Sequence, residues 1–257
     1  ASGRSGRERY PLKTYAHICT RAEANEAARD AAKLGKDYPL FADEIGRPFF
    51  RPDQIADDDL AIQYWFCYYY DDWANQHEGD WEGICLFLRR GAAGYEALGA
   101  SYYEHEGGIR RHWPEVNRSI TGGTHPLVYV AAGSHASYFQ YLAPGYVTTV
   151  PGFIIPGIHI RVRVVFSSTR FDRVADDRQF KPIEPAVELL PDPIGPDDPS
   201  DPIWRDKLWL NFPGRWGIRV LAGLGYGGPT GPACKGLKWH QPFVWMERYC
   251  SPDYLVY

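Results

Sequence analysis

Short runs of apolar and aromatic residues recur through the middle of the chain and are typical of β-strands. Residues 61–70 and 84–88 are two such runs, each too short to span a bilayer and rich in residues that fit a pleated, half-buried surface. Residues 158–164 alternate strictly between apolar and polar side chains, which predicts a strand with one buried and one solvated face. These patterns predict a mainly β protein, an antiparallel β-sandwich with peripheral helices and long loops.

We expect the chain to form a single domain over residues 1–257. Turn and capping signals mark four segments within it. A capping-box pattern from Thr20 to Glu23 begins a helix that Gly35 ends, within an N-terminal helical and loop extension of residues 1–59. We predict a β core with the candidate site over residues 60–170. A surface loop rich in proline and aspartate follows over residues 181–203, and a loop-rich part of the same domain over residues 204–257.

Composition and charge exclude several classes of protein. Hydrophobic residues make up 44% of the chain and aromatic residues 15%, which is more than a disordered chain carries. The formal net charge of −4 argues against a nucleic-acid partner, because such domains are usually basic. We expect no transmembrane segment, since no apolar stretch approaches the roughly 20 residues that a spanning helix needs.

The five cysteines contain no Cys-x-x-Cys pair, so a structural zinc knuckle is not expected. Cys234 and Cys250 lie in the loop-rich tail and would form a disulfide if the protein is exported. Cys67 and Cys85 fall in predicted strands, and we expect both to be buried.

The run from His77 to Glu82 places one imidazole and several carboxylates between two apolar segments. In an extended segment Asp80 and Glu82 point the same way, and Gly79 allows the backbone to bend His77 toward them. A mainly oxygen-donor set of this kind suits Mg²⁺, Ca²⁺ or Mn²⁺, whereas Zn²⁺ or Fe²⁺ would require further histidines. We therefore predict a divalent metal ion at His77, Asp80 and Glu82.

Further candidate ligands lie on both sides of this run. Asp71 and Asp72 precede it, and His105 and His135 follow it; a hydrogen-bonded structural histidine is the alternative for each of the latter two. His135 comes directly after an apolar, strand-like run, which places it well to face a pocket.

Four motifs in order resemble the vacuolar protein sorting-associated protein 62 family, which has no settled reaction. They are residues 63–66 (QYWF), 77–82 (HEGDWE), 105–108 (HEGG) and 128–138 (VYVAAGSHASY), with a weaker likeness from Trp209 to Trp245.

A more distant resemblance is to the necrosis- and ethylene-inducing-peptide-like cytolysins, whose His-x-x-Asp-Trp-Glu signature matches His77, Asp80, Trp81 and Glu82. This resemblance implies a β-sandwich in which the run and an upstream aspartate, here Asp71 or Asp72, hold a divalent cation that engages a sphingolipid sugar head group. The compartment stays open, with a secreted protein slightly favoured over a cytoplasmic one. Residues 78–79 depart from the signature, since the cytolysins have a basic residue and a second histidine there.

Three functions are compatible with such a site. The resemblance favours cation-dependent recognition of a polar head group or glycan at a membrane or cell surface, with Trp73, Tyr102 and Tyr103 as exposed stacking residues. A metal-dependent hydrolase of a phosphoester or glycoside is the alternative, with Glu78 or Glu106 as general base. A purely structural cation is the third possibility, and Trp81 is expected to pack as core in each case.

Overall fold

The structure is a computed structural model, and it describes most of the chain in separate ranges. These are residues 13–36, 38–41, 49–72, 76–104, 107–118, 123–140, 147–150, 164–167, 173–174, 185–191, 207–217 and 228–252. Most of the segment 158–164, predicted to be a strand, lies outside them.

A seven-stranded sheet forms the centre of the protein. Its strands are β1 (Lys13–Thr20), β2 (Leu60–Asp71), β3 (His77–Gly91), β4 (Gly94–Glu104), β5 (Gly107–His112), β11 (Ala186–Leu189) and β12 (Cys250–Pro252). They lie in the order β11-β1-β2-β3-β4-β5-β12. The two apolar runs predicted to be strands are therefore the cores of β2 and β3, and the protein is mainly β as predicted.

The sheet is mixed rather than wholly antiparallel. Neighbours from β1 to β5 pair antiparallel, whereas the edge strand β11 pairs parallel with β1, and β12 pairs parallel with β5. β11 lies inside the segment predicted to be an irregular surface loop, so that prediction is wrong for residues 186–189. Its backbone completes the edge of β1, and Leu190 beyond it is buried.

The N-terminal segment contributes to the sheet as well as to a helix. β1 pairs with β2 over seven residues and precedes helix α1 (Arg21–Lys33). Thr20 Oγ1 accepts from the Glu23 backbone N–H, while the Glu23 carboxylate accepts from the Thr20 N–H, which confirms the predicted capping box. The prediction of a purely helical and loop extension missed β1.

Smaller elements complete the described fold. They are β6 (Tyr129–Ala132), β7 (Ser137–Tyr138) and β10 (Arg173–Val174) in a three-stranded sheet, β8 (Val147–Val150) and β9 (Val164–Ser167) in a hairpin, helices α2 (Leu237–His240) and α3 (Pro242–Tyr249), and 3₁₀ turns at Pro52–Gln54, Trp113–Glu115, Leu208–Asn211 and Pro232–Cys234. None of the helices in the described ranges is long and apolar enough to cross a bilayer.

Each face of the large sheet carries its own apolar cluster. On one face Trp65, Phe87 and Tyr103 of the sheet join Phe243 and Met246 of α3. On the other face a second cluster joins the sheet to β6 and β7, and it includes Ile84, Leu86, Tyr102, Tyr129 and Tyr138. Polar side chains on either face of β2 and β3 are therefore positioned by cores on both sides.

All five cysteines are free thiols, which overturns the expected bridge between Cys234 and Cys250. Cys250 is buried at the start of β12, while Cys234 is exposed in a 3₁₀ turn. Cys85 is buried as predicted, but Cys67 is exposed because β2 runs beyond the core toward its end.

Candidate metal centre

Asp71, His77 and Asp80 come together where β2 ends and β3 begins. The register of the two strands pairs Asp71 with His77 and Tyr68 with Asp80. One potential ligand atom from each of the three side chains lies within 4.8 Å of the others. Asp71 and Asp80 are buried, with 5% and 6% of their surfaces exposed. The structure thus gathers one imidazole and two carboxylates. Of the two aspartates that precede the run, Asp71 belongs to this cluster and Asp72 does not.

Gly79 explains how His77 reaches Asp80. Side chains three residues apart on a regular strand point to opposite faces, so His77 would point away from Asp80. Gly79 has a φ of +66°, a left-handed conformation that glycine adopts without the steric cost that a side chain adds. This break in the strand brings the imidazole into the cluster, as the sequence pattern predicts.

The hydrogen bonds of His77 fix which ring nitrogen carries its proton. Nδ1 lies 2.9 Å from the carbonyl oxygen of Gly79. Because a carbonyl oxygen only accepts, Nδ1 is the donor, and in a neutral ring Nε2 presents its lone pair. Nε2 faces Asp71 Oδ2 at 3.4 Å, so in that neutral form of the ring two acceptors would point at each other. A proton or a metal cation between these atoms removes the repulsion.

His135 approaches Asp80 from the turn between β6 and β7. Its Nδ1 lies 3.0 Å from Asp80 Oδ2, and the carboxylate fixes Nδ1 as the donor. The ring stacks on Tyr68, with centroids 4.0 Å apart and planes inclined by 5°. His135 has a φ of +57°, uncommon for a residue with a side chain. His135 therefore acts on the cluster by orienting Asp80.

The sequence segment that carries the cluster is strongly acidic. Residues 60–88 contain neither lysine nor arginine, and five carboxylates fall within residues 71–82: Asp71, Asp72, Glu78, Asp80 and Glu82. Burial, followed by the charges of Glu82 and Asp80, raises the pKa of Tyr68 above its usual value, so this phenol stays neutral. A bound cation would offset this concentration of negative charge.

The remaining predicted ligands lie outside the three-residue cluster. Glu82 is buried on the same face as Asp80 but two residues farther along β3, about 7 Å away for a strand. Asp72 is exposed; its carboxylate accepts from Gln76 Nε2 at 2.8 Å, and its N–H donates to the Gly133 carbonyl. Glu78, a candidate general base, is exposed beside His77. His105, Glu106 and Trp73 lie outside the described residues.

Tyr102 and Tyr103 do not form the exposed stacking surface that was predicted, because both are fully buried. Tyr102 stacks on Phe139 at 3.7 Å and donates a hydrogen bond to the Leu127 carbonyl. Tyr103 receives a hydrogen bond from Gln63 within the opposite core. Trp81 is buried as expected, and it stacks on Trp209.

Two exposed tyrosines beside the cluster were not singled out from the sequence. Tyr69 and Tyr70 directly precede Asp71 and are 86% and 41% exposed. Both belong to the aromatic run at residues 61–70, whose pattern predicts a strand but not the point at which that strand leaves the core. They are neighbours of Asp71 in the sequence, and because successive side chains on a strand point to opposite faces, only one of them can share a face with a given ligand.

Comparisons with protein-family models, curated proteins and solved structures find no match for this chain. The resemblances to the two families therefore remain predictions, and the function rests on the geometry of the site.

Proposed function

We propose that the protein binds one divalent cation through Asp71, His77 and Asp80, and that this cation holds a polar head group or glycan at a membrane or cell surface. The contact between His77 Nε2 and Asp71 Oδ2 carries the proposal. A metal-bound histidine typically donates its other ring N–H to a carbonyl or carboxylate, which is the arrangement that Gly79 provides. Of the exposed tyrosines Tyr69 and Tyr70, the one on the face of the cation would stack on the ligand.

The donor set favours Mg²⁺, Ca²⁺ or Mn²⁺ over Zn²⁺ or Fe²⁺. Two carboxylates and one imidazole supply more oxygen than nitrogen, and the donor set contains no thiolate. Three protein ligands also leave coordination positions for water or for hydroxyl and phosphate oxygens of a ligand.

Calorimetric titration with Mn²⁺, Ca²⁺ and Zn²⁺ tests the cation site. We expect one site per chain in the wild type and at least tenfold weaker binding in Asp80→Asn, because the amide keeps the shape of the carboxylate but not its charge. Asp58→Asn is the matched control, since Asp58 is an exposed carboxylate near Arg90. A wild type that binds none of the three ions, or an Asp80→Asn variant with unchanged affinity, would overturn the proposed site.

Glycan arrays and liposomes, with and without the cation, test the ligand. Binding that requires both the cation and Asp80 supports recognition.

The hydrolase is the second candidate function. It is favoured by the hydrogen bond between His135 and Asp80, which leaves the other ring nitrogen of His135 to act on a water. Metal-dependent turnover of a phosphodiester or glycoside that Glu78→Gln or His135→Asn abolishes would replace recognition with catalysis.

A purely structural cation gives a third pattern. Chelation would then lower the melting temperature strongly, and neither ligand binding nor turnover would accompany the metal.

We further propose that the fold is a β-sandwich whose second layer is the sheet of β6, β7 and β10. Support comes from the shared apolar cluster, in which Tyr129 and Tyr138 join Ile84 and Tyr102 of the large sheet.

A further inference from the structure

Two segments of the tail pack against the part of β3 that carries the candidate ligands. We refer to residues 207–217 and 228–235 together as the C-terminal clamp. Trp209 of the clamp stacks on Trp81, with ring centroids 4.9 Å apart, and Lys235 Nζ donates to the Trp81 carbonyl at 3.0 Å. Trp81 directly follows Asp80, so the clamp contacts the neighbour of a candidate ligand.

Glycines allow the clamp to approach β3 very closely. A Cβ atom on Gly79 would lie 2.9 Å from Cβ and 3.0 Å from Cγ of Trp216. A Cβ atom on Gly217 would lie 2.7 Å from Cβ of Glu78, and one on Gly228 would meet the Glu78 carbonyl oxygen. Trp216 therefore rests directly on the backbone of Gly79, with its neighbours packed around Glu78.

Hydrogen bonds join the two halves of the clamp. The Gly228 N–H donates to the Trp216 carbonyl at 3.0 Å, and the Trp216 N–H donates to the Pro229 carbonyl at 3.3 Å. Arg215 Nη1 donates to the Gly228 carbonyl at 3.4 Å. Trp216 is thus held by backbone bonds on both sides while its side chain covers Gly79.

We infer that Trp216 is a positioning residue for the cation site, an inference that rests on the proposed function. The clamp contacts Glu78, Gly79 and Trp81, which lie between and beside His77 and Asp80. Glycine adopts positive and negative φ about equally readily, so being a glycine does not by itself keep Gly79 at a φ of +66°. Trp216 packs against this conformation and thereby keeps His77 turned toward Asp80.

Terbium binding tests the inference, because tyrosine and tryptophan near the ion sensitise its luminescence and the emission lifetime counts its bound waters. In Trp216→Ala we expect about tenfold weaker Tb³⁺ binding, the scale seen when groups that orient metal ligands are removed, and one additional bound water as His77 leaves. Trp216→Phe should retain both wild-type values, because it keeps Cβ, Cγ and a ring carbon against Gly79. Leu208→Ala is the clamp control, since Leu208 is exposed.

Two glycine variants test the same inference without changing Trp216. Gly217→Ala and Gly123→Ala both place a side chain at positive φ, but only the first collides with Glu78, whereas Gly123 has open space around it. We expect Gly217→Ala alone to weaken Tb³⁺ binding and add a bound water. Wild-type affinity and water count in folded Trp216→Ala or Gly217→Ala would overturn the inference, while a wild type that binds no ion would instead overturn the proposed cation site.

Discussion

At the residue scale, Gln63 shows how a polar side chain in a central strand organises a core. Its Oε1 accepts from His17 Nδ1 at 2.8 Å, and its Nε2 donates to the Tyr103 hydroxyl at 3.0 Å and to the Lys238 carbonyl. Gln63 is fully buried, so its three hydrogen bonds form where water cannot replace the amide. One side chain thus links β1, β2, β4 and α2.

Replacing Gln63 with leucine should destabilise the protein by about 3 kcal/mol. Leucine keeps much of the volume but removes the three buried hydrogen bonds of the amide, and each such bond contributes about 0.5–1.5 kcal/mol. Urea unfolding measures the loss. Gln76→Leu is the control, because Gln76 is exposed and should change stability by less than about 0.5 kcal/mol. A loss below about 1 kcal/mol in Gln63→Leu would show that other groups satisfy the network.

The same scale shows what the sequence could and could not predict about the site. His77 and Asp80 were predictable because they lie three residues apart and the intervening Gly79 permits the necessary bend. Tyr102 and Tyr103 were wrongly predicted to be exposed. An aromatic pair in a strand gives the same sequence pattern whether one face of the sheet is solvated or both are covered. Trp216 contacts Gly79 across more than a hundred residues of sequence, and no local pattern reports such a contact.

At the scale of elements, β11 is held to the sheet edge by a carboxylate with two cationic partners. Glu188 accepts from Lys13 Nζ of β1 at 3.0 Å and from Lys207 Nζ of the tail at 3.0 Å. The hydrogen bond from Lys13 and then that from Lys207 lower the pKa of Glu188 below its usual 4.5. The sequence predicted a loop here because prolines lie on both sides of β11. A strand of four residues that depends on such distant partners leaves little pattern in its own sequence.

The stability supplied by Glu188 should depend on pH. Because its folded-state pKa is lowered, the contribution is present above the unfolded pKa and is lost as the pH falls through the folded pKa. We expect Glu188→Gln to lose less than about 1 kcal/mol at pH 7, since the carboxylate is partly exposed, and to lose less near pH 3 than at pH 7. Urea unfolding at both pH values checks this, with exposed Glu26→Gln as control. An equal deficit at both pH values would assign the effect to packing.

At the scale of the whole molecule, one apolar cluster draws on both ends of the described chain. It contains Cys19 from β1, Cys85 from β3 and Cys250 from β12, together with Phe41 and Trp245. All three thiols are buried members of this one cluster. A core shared in this way is what the predicted single domain requires, because neither end can leave without exposing the other.

Thiol labelling during unfolding tests that cooperativity with probes the chain already carries. In native protein at pH 8 we expect iodoacetamide to label Cys234 first. Cys67 should follow slowly: the residue is exposed, but desolvation of its thiol by the surrounding protein and then the charge of Asp80 raise its pKa to about 11. Cys19, Cys85 and Cys250 are buried, so they should react only on unfolding, with one common midpoint in urea when peptides are resolved by mass spectrometry. Separate midpoints for Cys19 and Cys250 would contradict a single cooperative domain, because those thiols lie near the two ends of the chain and share one cluster with Cys85.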